Sequence, residues 1–284
     1  MKLSVIIINF NTPEMTIRAI ETFKKNIQDS DFEIILIDNN SERKISSSEI
    51  ERLNVRYIEN KDNLGFAKAV NQGIKFTKGQ YLLLLNSDVL VKPGAIKQMI
   101  DYLEAHLDAG LIGPSFFYPN GQNQPSAGFF PNLFREIMSF SMVAKIMNAG
   151  TLIYKNFFTK RFFKQTCEVD WLSGGCLLIR RQVVEEIGLL DVNYFFGVED
   201  LDFCFRAKQR NWKVIFFPQA EIIHYHGFSS GGRRSTLSLK FEADGMDYFL
   251  NKHFLQKKFT IKIVRMMYRS KIKILNRLFA IYKK

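Results

Sequence analysis

The chain has 284 residues, 46% of them hydrophobic, three cysteines and a formal net charge of +12. That is apolar material enough for one large domain, and an odd cysteine count without a CxxC argues against a disulfide framework or a cysteine zinc site. Eleven of the 40 Lys and Arg fall after residue 251, where no acid occurs, which leaves 29 basic against 28 acidic residues in 1–251; the body is near neutral, and nucleic-acid binding is disfavoured as the reason for the charge.

The first run, LSVIII, is too short for the apolar region of a signal peptide. No stretch approaches the roughly 20 apolar residues of a spanning helix. A reducing cytoplasm is therefore the expected setting. "LSVIIINF" reads as a buried strand. "NTPEM" opens a helix to about Asn26, with Thr12 as N-cap, Pro13 at the first helical position and Glu14 in the first turn. "FEIILIDNNS" is a strand ending in Asp38, and "VRYIEN" is a third. "NLGFAKAVNQGIKFTKG" turns at a glycine, then has helical apolar spacing, with Gly79 as its expected C-cap. "YLLLL" is a fourth strand and "PGAIKQMIDYLEAH" another helix. This alternation predicts an α/β fold with a mostly parallel central sheet and helices on both faces.

The second half is less regular. Residues 126–169 are rich in phenylalanine and form a variable segment that could cap a site, touch lipid or make an oligomer contact. The informative pieces after it are "VDWLSGGCLLIRR", "GVEDLDFCFRAKQRNW", "KVIFFP" and "EIIHYHGFSSGGRRS". Residues 259–284 fit a helix with apolar residues on one side and Lys262, Arg265, Arg269 and Lys273 opposite. That pattern predicts contact with an anionic membrane surface, or else a helix packed on its own domain. The expected division is a domain over 1–251 and a basic amphipathic helical tail over 252–284.

Asp38 and Asp88 each end a predicted strand. Each is readable as a turn residue, but both fall on the edge of a parallel sheet where ligands bind. A nucleotide lying there would meet Asp38 at the base or ribose and Asp88 at the diphosphate. No G-x-G-x-x-G follows the first strand, which disfavours a dinucleotide fold. Glu199, Asp200 and Asp202 cluster at a helix start, a place the helix dipole favours for acids; their apolar flanks would raise carboxyl pKa and make a better base. His224 and His226 share one side of a strand. With an acid they could hold a transition metal, or one of them with Asp88 could complete a metal–diphosphate site beside Arg233 and Arg234.

Seven pieces in order, "SVIIINFNTPE", "IILIDNNS", "NLGFAKAVNQGI", "LLLLNSDV", "VDWLSGGCLLIRR", "GVEDLDFCFRA" and "EIIHYHGFSSGG", resemble glycosyltransferase family 2, the inverting enzymes with a GT-A fold. More narrowly they resemble its bacterial rhamnosyltransferase-like members, which build cell-surface polysaccharide. The resemblance spans residues 3 to about 232. It implies that "NSD" is the metal motif with Asp88 as its acid, Asn86 replacing the first carboxylate and Ser87 between them. It implies a nucleotide pocket at Asp38 and the backbone around Phe10, closed over by Asn63, Gly65 and Lys68. Glu199 and Asp200 match the acidic pair whose second member is taken as catalytic base. Trp171, Gly174 and Gly175 match the turn beside donor sugar and acceptor, and His224, rather than His226, the histidine near the metal. Lys68, Arg233 and Arg234 would add charge on the diphosphate. The implied activity is metal-dependent (Mg²⁺ or Mn²⁺) transfer of a hexose from dTDP-rhamnose or a UDP-sugar to a saccharide acceptor. The implied acceptor is carried on polyprenyl diphosphate at the inner face of the cell membrane. A soluble acceptor and a nucleotidyltransferase are the rival readings.

Overall fold

The structure, a computed structural model, describes residues 2–27, 31–130, 164–225 and 236–254, together with 262, 263, 265, 266 and 269. Twelve strands occur among them: β1 Leu3–Asn9, β2 Phe32–Asp38, β3 Arg56–Glu59, β4 Tyr81–Asn86, β5 Val89–Val91, β6 Ala109–Phe117, β7 Asn123–Gln124, β8 Ala127–Gly128, β9 Cys167–Glu168, β10 Trp171–Leu172, β11 Cys176–Arg180 and β12 Lys213–His224. The helices are α1 Pro13–Asn26, α2 Ser47–Leu53, α3 Phe66–Ile74, α4 Ala95–Ala105, α5 Arg181–Ile187, α6 Glu199–Gln209 and α7 Thr236–Phe254.

The main sheet runs in the order β3-β2-β1-β4-β11-β6-β12-β5. From β3 to β4 every pairing is parallel. β11 then runs antiparallel to both β4 and β6. β12 pairs parallel with β6 and antiparallel with β5. A mostly parallel sheet was expected; the antiparallel strand in its middle was not.

Both faces of the sheet are covered, which is why its strands read as unbroken apolar runs. Leu3, Val5 and Ile7 of β1 pack with Ile20 and Phe23 of α1 and Met99 and Leu103 of α4. Ile6, on the opposite face, packs with Val70 of α3 and with Leu82 and Leu84 of β4. Each of these side chains, fully buried, contributes about 1.5–3 kcal/mol. Cys176 lies in the first of these clusters and Cys204 in the second, and burial pushes both thiols up.

Two local expectations fail for packing reasons. Thr12 occupies the N-cap position of α1, but its side chain makes no cap hydrogen bond; it is used inside the molecule, as described below. Gly79 does not end α3, whose C-cap is Lys75. Gly79 instead lies against β1, where an added Cβ would fall 2.5 Å from the Ser4 amide nitrogen.

α7 was not anticipated. It runs through Phe254, so the expected boundary between 251 and 252 falls inside a helix that packs on the body. Tyr194, Val198, Leu201, Met246, Phe249 and Leu250 make its core. Most of the expected tail helix, and most of 126–169, lie outside the described residues. The tail residues that are described fold back on α7: Arg265 pairs with Asp247 at 3.0 Å, and Arg269 pairs with the same carboxylate. Two of the basic residues assigned to a membrane-facing side are thus engaged by the protein itself. Among the described residues no helix is long and apolar enough to cross a membrane.

Candidate active site

The carboxyl ends of β1, β2 and β4 carry a connected set of polar side chains. Asn9 sits opposite Asp38 in register and donates to Asp38 Oδ2 at 2.6 Å and to Ser41 Oγ at 3.1 Å. The Ser41 amide donates to Asp38 Oδ1 at 2.7 Å. Asp38 is 0% exposed, and both its oxygens are committed to neighbours. These bonds fix the end of β1 to the end of β2 and the turn after it. Asn9 also accepts from Thr12 Oγ1 at 3.2 Å and Thr16 Oγ1 at 2.7 Å. The Thr12 hydroxyl reaches on to Ser87 Oγ at 3.0 Å. A chain of hydrogen bonds thus runs from Asp38 to the Asn86-Ser87-Asp88 turn. Its members Asn9, Thr16 and Ser41 were missed in the sequence; the available signal was an Asn ending an apolar strand beside one ending in Asp.

Asn63 and Gly65 are held to the same edge. Asn39, next to Asp38, donates to Asn63 Oδ1 at 2.8 Å, and Gly65 N donates to the same oxygen at 3.0 Å. Gly65 has φ +79° and ψ 168°, a region open essentially to glycine alone. Its added Cβ would also meet the Phe195 carbonyl at 2.9 Å. Phe10 is half-buried directly after β1, and Lys68 is exposed on α3.

At the other end of the edge, Asp88 is 3% exposed and its Oδ1 lies 3.3 Å from His224 Nε2. The backbone arranges this pair: β12 ends at His224, opposite Val89, and Tyr225 N donates to Asp88 O at 2.9 Å. The Phe116 ring meets the imidazole edge-on at 5.3 Å. One carboxylate oxygen and one ring nitrogen at this separation fit two neighbouring positions on a single small divalent cation. Among the described residues no group of three or more acid, histidine or cysteine side chains forms a closed metal centre. A cation held here would keep positions open for ligands other than protein, which suits a diphosphate.

Gly174 and Gly175 link this end to the acids of α6. Asn86 N donates to Gly175 O at 2.9 Å. Gly174 N donates to Asp200 Oδ2 at 2.8 Å, and Leu201 N to Asp200 Oδ1 at 2.8 Å. Burial raises the Asp200 pKa, although these amides oppose it. Glu199 is buried, and its Oε2 accepts from Gly197 N at 2.6 Å and Val198 N at 3.0 Å. Burial and the adjacent Asp200 charge push Glu199 up to about 7. Trp171 is half-buried on the β10–β8 ribbon, packed over Gly128. Arg233, Arg234 and His226 lie outside the described residues.

Residues 4–188 match the family described as Glycosyl transferase family 2. The chain belongs to glycosyl transferase family 2. The N-acetylglucosaminyl-diphospho-decaprenol L-rhamnosyltransferase of Mycobacterium tuberculosis is 30% identical to this family member over 215 residues, 70% of this chain and 68% of the relative. The rhamnosyltransferase WbbL of Escherichia coli is 24% identical over 209 residues, 70% of this chain and 75% of the relative. Among solved structures, the mannosyltransferase PcManGT from Pyrobaculum calidifontis, in complex with GDP-Man and Mn²⁺, superposes with a TM-score of 0.58 at 13% identity. That match covers 88% of this chain but 63% of the solved one, and at this identity it establishes the GT-A fold alone. The acids of α6 and His224 fall beyond the matched residues 4–188, so their roles rest on geometry.

Proposed function

We propose that this family 2 glycosyltransferase moves a sugar, with inversion, from a nucleotide-sugar to a saccharide acceptor in cell-surface polysaccharide synthesis. The observation that carries the reading is the short path between two chemical sites. Asp200 is fixed by the Gly174 amide, the adjacent Gly175 is fixed to Asn86, and Asn86 stands two residues before Asp88. A base and a diphosphate-binding pair therefore flank one small glycine turn. A donor with its diphosphate at Asp88 would have its anomeric carbon near that turn, within reach of a hydroxyl delivered to Asp200.

Asp200 takes the acceptor proton as that oxygen attacks the anomeric carbon; the bond to the diphosphate oxygen breaks, and the nucleoside diphosphate leaves. Burial makes Asp200 more basic than an exposed carboxylate, which favours proton transfer. Glu199 holds the turn before α6 through the Gly197 and Val198 amides. Asp88 and His224 would hold Mg²⁺ or Mn²⁺, which neutralises charge on the departing diphosphate. Asn63, Gly65 and Lys68 would close on the nucleotide, with Phe10 at the base end and Asp38 positioning that end from behind. Trp171 would back the sugar side of the turn. The named activities of the two relatives favour dTDP-rhamnose over a UDP-sugar as donor, and a decaprenyl-type diphosphate-linked acceptor. A peripheral position on an anionic membrane, by way of the basic tail, would suit that acceptor.

The test is a thermal-shift screen of the full chain against dTDP, UDP, GDP and their sugars, with and without Mn²⁺, followed by turnover of the donor that shifts it. Asp88→Ala should lose the Mn²⁺-dependent shift. Asp200→Asn should keep the shift and lose turnover. A metal-independent shift unchanged in Asp88→Ala, or near-normal turnover in Asp200→Asn, overturns the assignments.

A further inference from the structure

Asp202, two residues after Asp200, is 0% exposed and lies at the centre of an ionic cluster that the transfer reaction does not use. Its Oδ2 accepts from Arg206 Nε at 2.7 Å. Its Oδ1 accepts from Lys252 Nζ at 2.8 Å, His253 Nε2 at 2.7 Å and Tyr194 OH at 3.2 Å. Lys252 also binds Asp191 Oδ2 at 2.7 Å, and Tyr248 OH donates to that oxygen at 3.2 Å. The His253 ring lies 4.3 Å from that of Phe205 and 4.9 Å from that of Phe249.

Apart from the His253–Phe249 contact within α7, these contacts bear on the segment 191–198 or on the first turns of α6. α7 lies behind that segment along its length. Lys252 and Tyr248 hold Asp191. Gly245 admits Val198, where a Cβ would fall 2.9 Å from Val198 Cγ2. Phe241 packs on Phe195 with ring centroids 4.6 Å apart. The front of the segment meets the nucleotide side, since Phe66 N at the start of α3 donates to Phe195 O at 3.1 Å. One short stretch is therefore clamped between α3 and α7, and its last residues lead directly into Glu199 and Asp200.

Apolar contact alone would hold α7 in place, and buried ion pairs are a weak source of net stability. What they add is register. Consecutive residues, 252 and 253, reach the same oxygen of Asp202, and a slide of α7 by a single residue would break both bonds.

We propose that Lys252 and His253 are positioning residues for Asp200, acting through Asp202, and that α7 is the brace that sets the geometry of the base. The proposal rests on the reading of Asp200 as base. It places part of the reaction's precision about 50 residues C-terminal to the acids, outside residues 4–188.

The experiment uses the full chain and two readouts. In hydrogen–deuterium exchange, Lys252→Met should speed exchange in peptides spanning 172–176 and 191–202, while peptides of β1, β2 and β4 stay as protected as in the parent. In steady-state kinetics with dTDP-rhamnose, or with the UDP-sugar that gives the largest thermal shift, Lys252→Met should lower kcat about 10- to 100-fold, the loss expected of a misplaced group. The donor KM should not change, and Lys252→Arg should recover most of the rate. If Lys252→Met does not fold, Tyr248→Phe, which removes one hydroxyl from the same cluster, should give the exchange effect in milder form. Unchanged exchange over 191–202 in a folded variant, or a kcat equal to that of the parent, overturns the brace. Asp200→Asn separates the two ideas: full turnover in that variant overturns the base itself, whereas an inactive Asp200→Asn beside a fully active Lys252→Met overturns the brace alone.

Discussion

Glu199→Gln should stabilise the protein at neutral and alkaline pH and leave it nearly unchanged in mild acid. Glu199 is 4% exposed, and its carboxylate pairs with backbone amides rather than with a cation. Burial and Asp200 raise its pKa from the usual 4.5 to about 7. Between those values the folded chain holds a proton that the unfolded chain has released. Stability therefore falls as pH rises through this window, and the full penalty is present above about pH 7. A rise from 4.5 to about 7, at about 1.4 kcal/mol per pH unit, amounts to about 3 kcal/mol. Glutamine carries no charge at any pH, and its amide oxygen can still accept from Gly197 N and Val198 N. Urea denaturation of parent and variant from pH 5 to 8.5 should show a gap that opens with pH towards about 3 kcal/mol in favour of the variant. A gap that stays constant across this range, or a parent more stable at pH 8, would refute the claim that burial raises this carboxyl.

Three further outcomes follow from the geometry. Gly65→Ala should cost about 1–3 kcal/mol, because alanine strongly disfavours that φ and ψ, and should weaken nucleotide binding; urea denaturation and a nucleotide titration would measure both effects. Thr12→Val keeps the shape but removes the hydroxyl between Asn9 and Ser87; it should cost about 1–3 kcal/mol and weaken Mn²⁺-dependent nucleotide binding, read by calorimetry. Binding of the full chain to anionic vesicles should fail at high salt, because the attraction is electrostatic; equal flotation with neutral vesicles would count against a role for the basic tail.

The donor side of the molecule was largely legible. β1, β2 and β4 carry unbroken apolar runs, and α1 and α4 carry helical apolar spacing. The failures have identifiable causes. β6 was missed because Gly110, Gly113 and Pro114 interrupt its apolar run. β12 was read as two pieces because Pro218 and Gln219 fall at a break in register between Phe217 and Glu221. α7 was missed because Gly245 weakens a helical pattern in its middle, although packing against Val198 demands glycine there.

The antiparallel strand β11 makes a seam in the sheet. On one side lie the four parallel strands of the nucleotide half; on the other lie the strands and helices that carry the acids and their brace. The Gly174-Gly175 turn, the Asp88–His224 pair, the Phe66–Phe195 backbone bond and the Asn71–Leu190 pair are among the polar connections across it. Such a seam is a natural place for recombination. A chimaera joined near β11 would keep β5 and β6 with the donor half, so the incoming piece must supply a β12 that pairs with both, its own histidine at the end of that strand and its own helix behind the acids.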